Sequence, residues 1–216
     1  MSIEHRVHFS FNARYLTEGD SESEILWICL HGYAQLAPYF IRKFEVLYAQ
    51  DQVLVPEGLH RFYMNDGSGR VVASWMTKED READIKNYLS YLDTVIADLL
   101  SKRNRAPKEI RLLGFSQGVA TACRYYAHTS FIISSLILWA GALPPDLNME
   151  SMKGKQEKSK IFLIHGDEDP YMKDSPYLSS TEVLDQLGYA YMLHTFHGKH
   201  EIKKEELLFL SETLSS

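Results

Sequence analysis

Short runs of apolar, often β-branched residues recur at positions 25–30, 52–55, 110–113, 136–139, 160–164 and 189–196. Each is bounded by turn-forming residues, the mark of strands buried in a sheet. Between them, apolar positions return at helical spacing over 39–50, 79–101, 117–127, 180–187 and 201–214. Strand and helix therefore alternate along nearly the whole chain. Parallel neighbours need a long connection across a sheet face, so this alternation predicts an α/β fold. Its central sheet is mostly parallel, with helices on both faces joined by right-handed crossovers. Two segments break the pattern. Residues 5–16 alternate polar and apolar side chains and then turn at Glu18-Gly19-Asp20, which predicts an antiparallel edge hairpin at the N-terminus. Residues 144–158, rich in Pro, Lys, Glu and Met, have weak periodicity. They read as a surface excursion between two strands, a candidate flap too short to be a cap domain.

Composition narrows the class without naming a function. The 216 residues are 45% hydrophobic and 24% charged, the balance of an ordinary globular chain. A chain of this size can bury about 70% of its unfolded surface, so a single domain over residues 1–216 is expected. The net charge of −6 is spread over alternating signs. No sustained basic face exists to neutralise a phosphate backbone, and nucleic acid is not an expected partner. No apolar run approaches the roughly 20 residues that span a bilayer, and Met1-Ser2-Ile3-Glu4-His5-Arg6 opens no long apolar leader. The expectation is a cytoplasmic protein without stable membrane insertion. Cys29 and Cys123 have neither metal-site nor redox spacing and read as buried thiols.

Chemistry enters at Gly114-Phe115-Ser116-Gln117-Gly118. This is the G-x-S-x-G pattern of a nucleophile elbow, where a serine stands on a sharp strand-to-helix turn. A chain with 12 glycines would show it by chance about 0.06 times, so its position must supply the rest. A strand run ends just before it and a helical run starts just after it. The two glycines then have a mechanical purpose: side chains two places either side of a strained serine would collide with neighbouring backbone. The same turn frees the Gln117 N–H, backed by the helix dipole, to face an oxyanion.

A serine hydroxyl needs a base to take its proton and an acid to orient that base. In α/β sheets the reacting groups gather at the carboxyl ends of strands. After the run 160–164 comes His165-Gly166-Asp167-Glu168-Asp169-Pro170, and after 189–196 comes His197-Gly198-Lys199-His200-Glu201-Ile202. Asp169 is the preferred acid, with Asp167 and Glu168 nearer the strand end as alternatives that cap the turn or meet solvent. His200, after the glycine turn and before the last helix, is the preferred base, with His197 and His194 in reserve. His5, His8, His60 and His128 read as surface residues. His31 opens the tight loop His31-Gly32-Tyr33-Ala34-Gln35 after the first central strand and reads as its brace, leaving Tyr33 N–H as a second oxyanion donor.

Together these motifs resemble the phospholipase/carboxylesterase family of cap-less α/β hydrolases, which includes acyl-protein thioesterases. The resemblance covers nearly the whole chain, and Leu30-His31-Gly32 and Ser74-Trp75 carry it as well. It implies Ser116 as nucleophile, Asp169 as acid, His200 as base, and the Tyr33 and Gln117 amides as oxyanion donors. It also implies Trp75, with Met76 beside it, near the acyl-binding groove, although a buried core aromatic is the plain alternative for Trp75. Ala34-Gln35, Met76-Thr77 and Lys199 depart from the family pattern around an unchanged triad. The implied substrate is a small-molecule ester or thioester, with no metal or organic cofactor, and a homodimer is a candidate assembly. Two rivals remain. The spacing of His194, His197 and His200 would suit a metal hydrolase if the segment were helical, which Gly198 opposes. A non-catalytic hydrolase-fold protein would be expected to lack a triad residue, and none is missing.

Overall fold

The computed structural model of the chain describes residues 2–65, 68–148, 150–155, 159–172 and 176–215. Its described residues form a seven-stranded sheet and a two-stranded one. The large sheet contains β1 (Tyr15–Gly19), β2 (Ile25–Leu30), β3 (Gln52–Pro56), β6 (Glu109–Phe115), β7 (Ser135–Trp139), β8 (Lys160–Gly166) and β9 (Tyr191–Phe196). The strands lie in the order β1-β3-β2-β6-β7-β8-β9. From β3 to β9 every pairing is parallel; β1 alone runs antiparallel. The small sheet is the antiparallel pair β4 (His60–Tyr63) and β5 (Val71–Ser74).

Alternation along the central strands produces two cores. Leu26, Ile28 and Leu30 of β2 face one side with Leu136 and Leu138 of β7, while Trp27 and Cys29 face the other with Ile137 and Trp139. The first core is covered by α2 (Arg81–Ser101), α3 (Gln117–His128) and Leu184 of α4 (Pro176–Gln186). The second is covered by α5 (Lys204–Ser215), α1 (Ala37–Phe40) and the 3-10 turns Ile41–Leu47. Each fully buried aliphatic side chain adds roughly 1.5–3 kcal/mol, so both helical layers are anchored by the same strands. Cys29 and Cys123 are both buried free thiols, one in each core.

Sequence expectations and structure part company in three places. The N-terminal edge is antiparallel, but it is not a hairpin: β1 pairs with β3, in the register Tyr15↔Pro56 to Gly19↔Gln52. Both edges of β2 are taken by β3 and β6, so the preceding segment cannot pair with β2 and takes the open edge of β3, the next strand over. The described residues before Tyr15 form no strand, and Val7, Phe9 and Phe11 stay exposed. The β4–β5 pair escaped the periodicity because each strand is four residues long. The expected helix over 39–50 is mostly 3-10, because its buried positions Ile41, Phe44 and Leu47 recur every third residue, the repeat of a 3-10 turn.

The excursion 144–158 carries the 3-10 turn Glu150–Met152; its positions 149 and 156–158 lie outside the described residues. Asp146 holds it down through ion pairs with Arg81 and Arg124, both at 2.7 Å. The Arg124 guanidinium holds the Asp146 carboxyl down at about 2, against the opposing push of burial. Among the described residues there is no cap domain, and no helix is long and apolar enough to cross a membrane.

Candidate active site

Ser116 stands between β6 and α3 with φ 55° and ψ −118°, a backbone conformation that L-residues adopt only under constraint. The constraint is visible on three sides. Ser116 N–H donates to Trp139 O at 2.9 Å, tying the turn to β7. A Cβ on Gly118 would stand 2.2 Å from Leu30 O, and one on Gly114 would stand 2.4 Å from Gly118 O. The elbow closes only because both positions lack side chains. α3 therefore begins directly against the end of β2; Val119 N–H turns back to Ser116 O at 3.0 Å, while Gln117 N–H has no carbonyl one turn back to accept it.

The loops that follow β8 and β9 are laced together. Asp167 N–H donates to Phe196 O, Glu168 N–H donates to Gly198 O, and Asp167 Oδ1 accepts the Gly198 N–H at 3.0 Å. The Gly198 amide, helped by the His197 ring, holds the Asp167 carboxyl below its usual range. Asp169 is 1% exposed. Its Oδ1 accepts Tyr171 N–H at 2.9 Å, and its Oδ2 lies 2.7 Å from His200 Nδ1. A carboxylate only accepts, so Nδ1 carries the proton and Nε2 is left as the basic nitrogen. The His200 ring packs 4.9 Å from the ring of Phe115, the residue before Ser116. On another side it meets Tyr171 edge-on at 4.8 Å.

Tyr171, 72% exposed, was not foreseen from sequence. Its one signal was an aromatic residue directly after Asp169-Pro170. The reserve histidines go elsewhere. His194 Nε2 meets Glu206 at 2.5 Å and its ring stacks on Phe209, while His197 meets Asp167. His194, His197 and His200 thus have three different carboxylate partners and do not converge on one point. His60 and His128 also hold carboxylates, Asp84 and Asp93, each at 3.0 Å. Both stay at the surface, with side chains 38% and 45% exposed, and there they tie neighbouring elements together.

The loop after β2 is braced by His31, which is fully buried. Its Nε2 accepts Gly58 N–H at 2.9 Å, so the protonated Nδ1 donates to Gly32 O at 2.8 Å. Burial pulls the ring down to about 4, against the raising effects of Gly32 O and Glu57, and keeps it neutral. Gln35 Oε1 accepts Gly32 N–H, and Ala34 N–H donates to Ala73 O with Ala34 at φ 59°. Tyr33 N–H, between these two anchored amides, has no partner among the described residues. The Tyr33 side chain is 58% exposed.

Trp75 is fully buried; its ring lies 5.0 Å from His31 and its Nε1–H donates to His31 O at 2.8 Å. The expectation that it borders the acyl groove is corrected, since a fully covered ring offers a ligand no surface. It is a pillar of the loop after β2. Met76 is half-buried, and its carbonyl accepts Ser74 Oγ–H at 2.9 Å. The Gln117 side chain joins the same knot through Ser74 Oγ and Trp75 N–H.

A mostly parallel sheet, a serine elbow in its middle and a carboxylate–histidine pair at the next strand ends define an α/β hydrolase. A family model described as phospholipase/carboxylesterase matches residues 14–216, and the chain belongs to that family of carboxylic ester hydrolases. Among solved structures it is similar to acyl-protein thioesterase 2 of Zea mays (TM-score 0.71, 18% identity, 94% of this chain and 98% of that one). It is also similar to a phospholipase/carboxylesterase of Dyadobacter fermentans (TM-score 0.68, 19% identity, 98% and 100% covered). The carboxylesterase of Bacillus cereus matches likewise (TM-score 0.70, 15% identity, 94% and 93% covered). At these identities the structural likeness is one of fold.

Proposed function

We propose that the chain is a serine carboxylesterase that cleaves carboxylic esters or thioesters of small to medium acyl chains. One observation carries the reading: buried Asp169 holds His200 at 2.7 Å while the His200 ring lies on Phe115, next to the strained Ser116. Ser116 Oγ attacks the carbonyl as His200 Nε2 takes its proton, and Asp169 keeps the imidazole in the productive tautomer. The N–H groups of Tyr33 and Gln117 hold the oxygen that becomes negative; each such donor is worth roughly 3–4 kcal/mol. His200 then gives its proton to the leaving alcohol or thiol, and water repeats the steps on the acyl-enzyme. This chemistry calls for neither metal nor organic cofactor, so chelation leaves it untouched.

The test is a panel of aryl esters graded by acyl length, with matched thioesters, run on the wild-type protein and on Ser116→Ala. The variant is expected to lose hydrolysis of all of them and labelling by a fluorophosphonate probe. Equal hydrolysis by the two proteins sinks the reading. The ratio of thioester to ester kcat/KM separates a thioesterase of the acyl-protein type from a carboxylesterase.

A further inference from the structure

A groove of about 550 Å³ opens beside the oxyanion loop, lined by Ala34, Gln35, Leu36, Tyr39, Phe40, Lys43, Arg70, Val71 and Val72. It adjoins the nucleophile. Gln35 Oε1 and Ser116 Cβ both lie within 3.3 Å of the point where a Gly32 Cβ would stand. Its volume falls within the usual range for small-molecule sites. Its charge runs against that of the molecule. The chain carries a net −6, yet among the described residues the groove is lined by two cations and no carboxylate.

Those cations are not committed elsewhere among the described residues. Lys43 is half-buried and Arg70 is exposed, and neither is in an ion pair there. Neighbouring cations on the same surface are engaged: Arg42 lies over the Tyr39 ring and Lys204 pairs with Glu45. Gln35 spends its carbonyl oxygen on Gly32 N–H, so its amide hydrogens remain as further donors and its neutral side chain repels no anion. Leu36, Phe40, Val71 and Val72 add apolar side chains to the same lining.

Resting on the serine-esterase reading, we propose that this groove is a subsite for an anionic group borne by the substrate several bonds from the scissile carbonyl. The apolar side chains take the methylene spacer, and Lys43 and Arg70 take the terminal carboxylate or phosphate. A cationic patch on an acidic protein also steers such substrates to the site, an effect that salt weakens.

The experiment compares kcat/KM for three nitrophenyl esters of equal chain length: octanoate, the suberate half-ester, and an analogue ending in phosphate. The two anionic arms tell carboxylate from phosphate. In the wild-type protein at least one anionic ester is expected to exceed the neutral one. In a Lys43→Gln, Arg70→Gln double variant the anionic-to-neutral ratio falls roughly tenfold. Lys43→Arg retains the ratio, and so does Lys108→Gln, which removes an equal charge that is paired with Glu24. Raising salt from about 50 to about 500 mM shrinks the ratio in the wild-type protein.

A ratio equal in wild-type and double variant overturns the proposal, as does an equal fall in Lys108→Gln. If no ester is turned over, the esterase reading fails on its own. The groove is then judged by calorimetry of suberate monomethyl ester with Ser116→Ala: heat lost on adding Lys43→Gln and Arg70→Gln upholds the subsite, and no binding refutes it.

Discussion

At the end of β6, Ser116 is gripped by backbone. Gly114 and Gly118 leave no room for a Cβ, the Ser116 amide is bonded to Trp139 O, and the strands on either side of β6 are buried. At the ends of β8 and β9, His200 is held by side chains: one bond to Asp169, one ring on each of two flanks, and a neighbouring edge strand whose Met192 and Leu193 are exposed. The place of Ser116 is a property of the sheet, which can be disturbed only by disturbing the fold. The place of His200 is a property of a few contacts, which can be removed while the sheet stands. A strained serine needs a scaffold stiff enough to store the strain, whereas a base that accepts and returns a proton needs only its orientation kept.

Breaking the softer side should give the largest effect. Asp169→Asn is expected to lower kcat on the proposed reaction about 10⁴-fold, through loss of the tautomer rather than of the fold. The urea midpoint should stay near that of the wild type, and a matching collapse of stability would show that the two sides are not independent. Next, Gly118→Ala forces a methyl against Leu30 O at 2.2 Å. It should cost about 4 kcal/mol or more of unfolding free energy. A midpoint close to wild type would mean that the elbow tolerates movement.

Third is the acid sensitivity of the scaffold under the elbow. His31 titrates near 6.5 when unfolded and about 4 when folded, so the unfolded chain binds the extra proton between these values. Its contribution is complete above pH 6.5 and is lost as pH falls toward 4, on the order of 3 kcal/mol in total. Urea titrations from pH 7 to pH 4.5 should show this slope, and His31→Gln should be less stable but flatter. The smallest effect has the opposite sign. Ser116→Gly is expected to abolish the proposed hydrolysis yet relieves a positive φ, and should raise the unfolding free energy by about 1 kcal/mol. A fall in melting temperature would show that Ser116 carries no strain.

Much of this was legible in the residues, and the remainder has a common cause. The central strands, the long helix α2 and the elbow each depend on neighbours within a few positions, and periodicity and glycine placement reveal them. Which of Asp167, Glu168 and Asp169 meets His200 depends on how two loops 30 residues apart lace together, and only Asp169 turns inward. The partner of β1 was misjudged for a related reason: pairing is decided by which strand edges remain free, and that is settled elsewhere in the sheet. Trp75 was placed by resemblance near a groove, whereas its indole nitrogen finds the His31 carbonyl and its ring disappears from the surface.

By itself the sequence determined the α/β class, the serine on its turn and the two strand-end loops that offer a carboxylate and a histidine. Period-two and period-3.6 burial and the demand for glycine beside a strained residue act over short stretches of backbone. Tertiary structure alone decided the pairing of Asp169 with His200, the bracing of the loop after β2 by His31 and Trp75, and the placing of Lys43 and Arg70 on one groove with apolar side chains. Those arrangements join side chains far apart in the chain, and hydrogen-bond partners, burial and charge neighbours exist only once the chain has closed on itself.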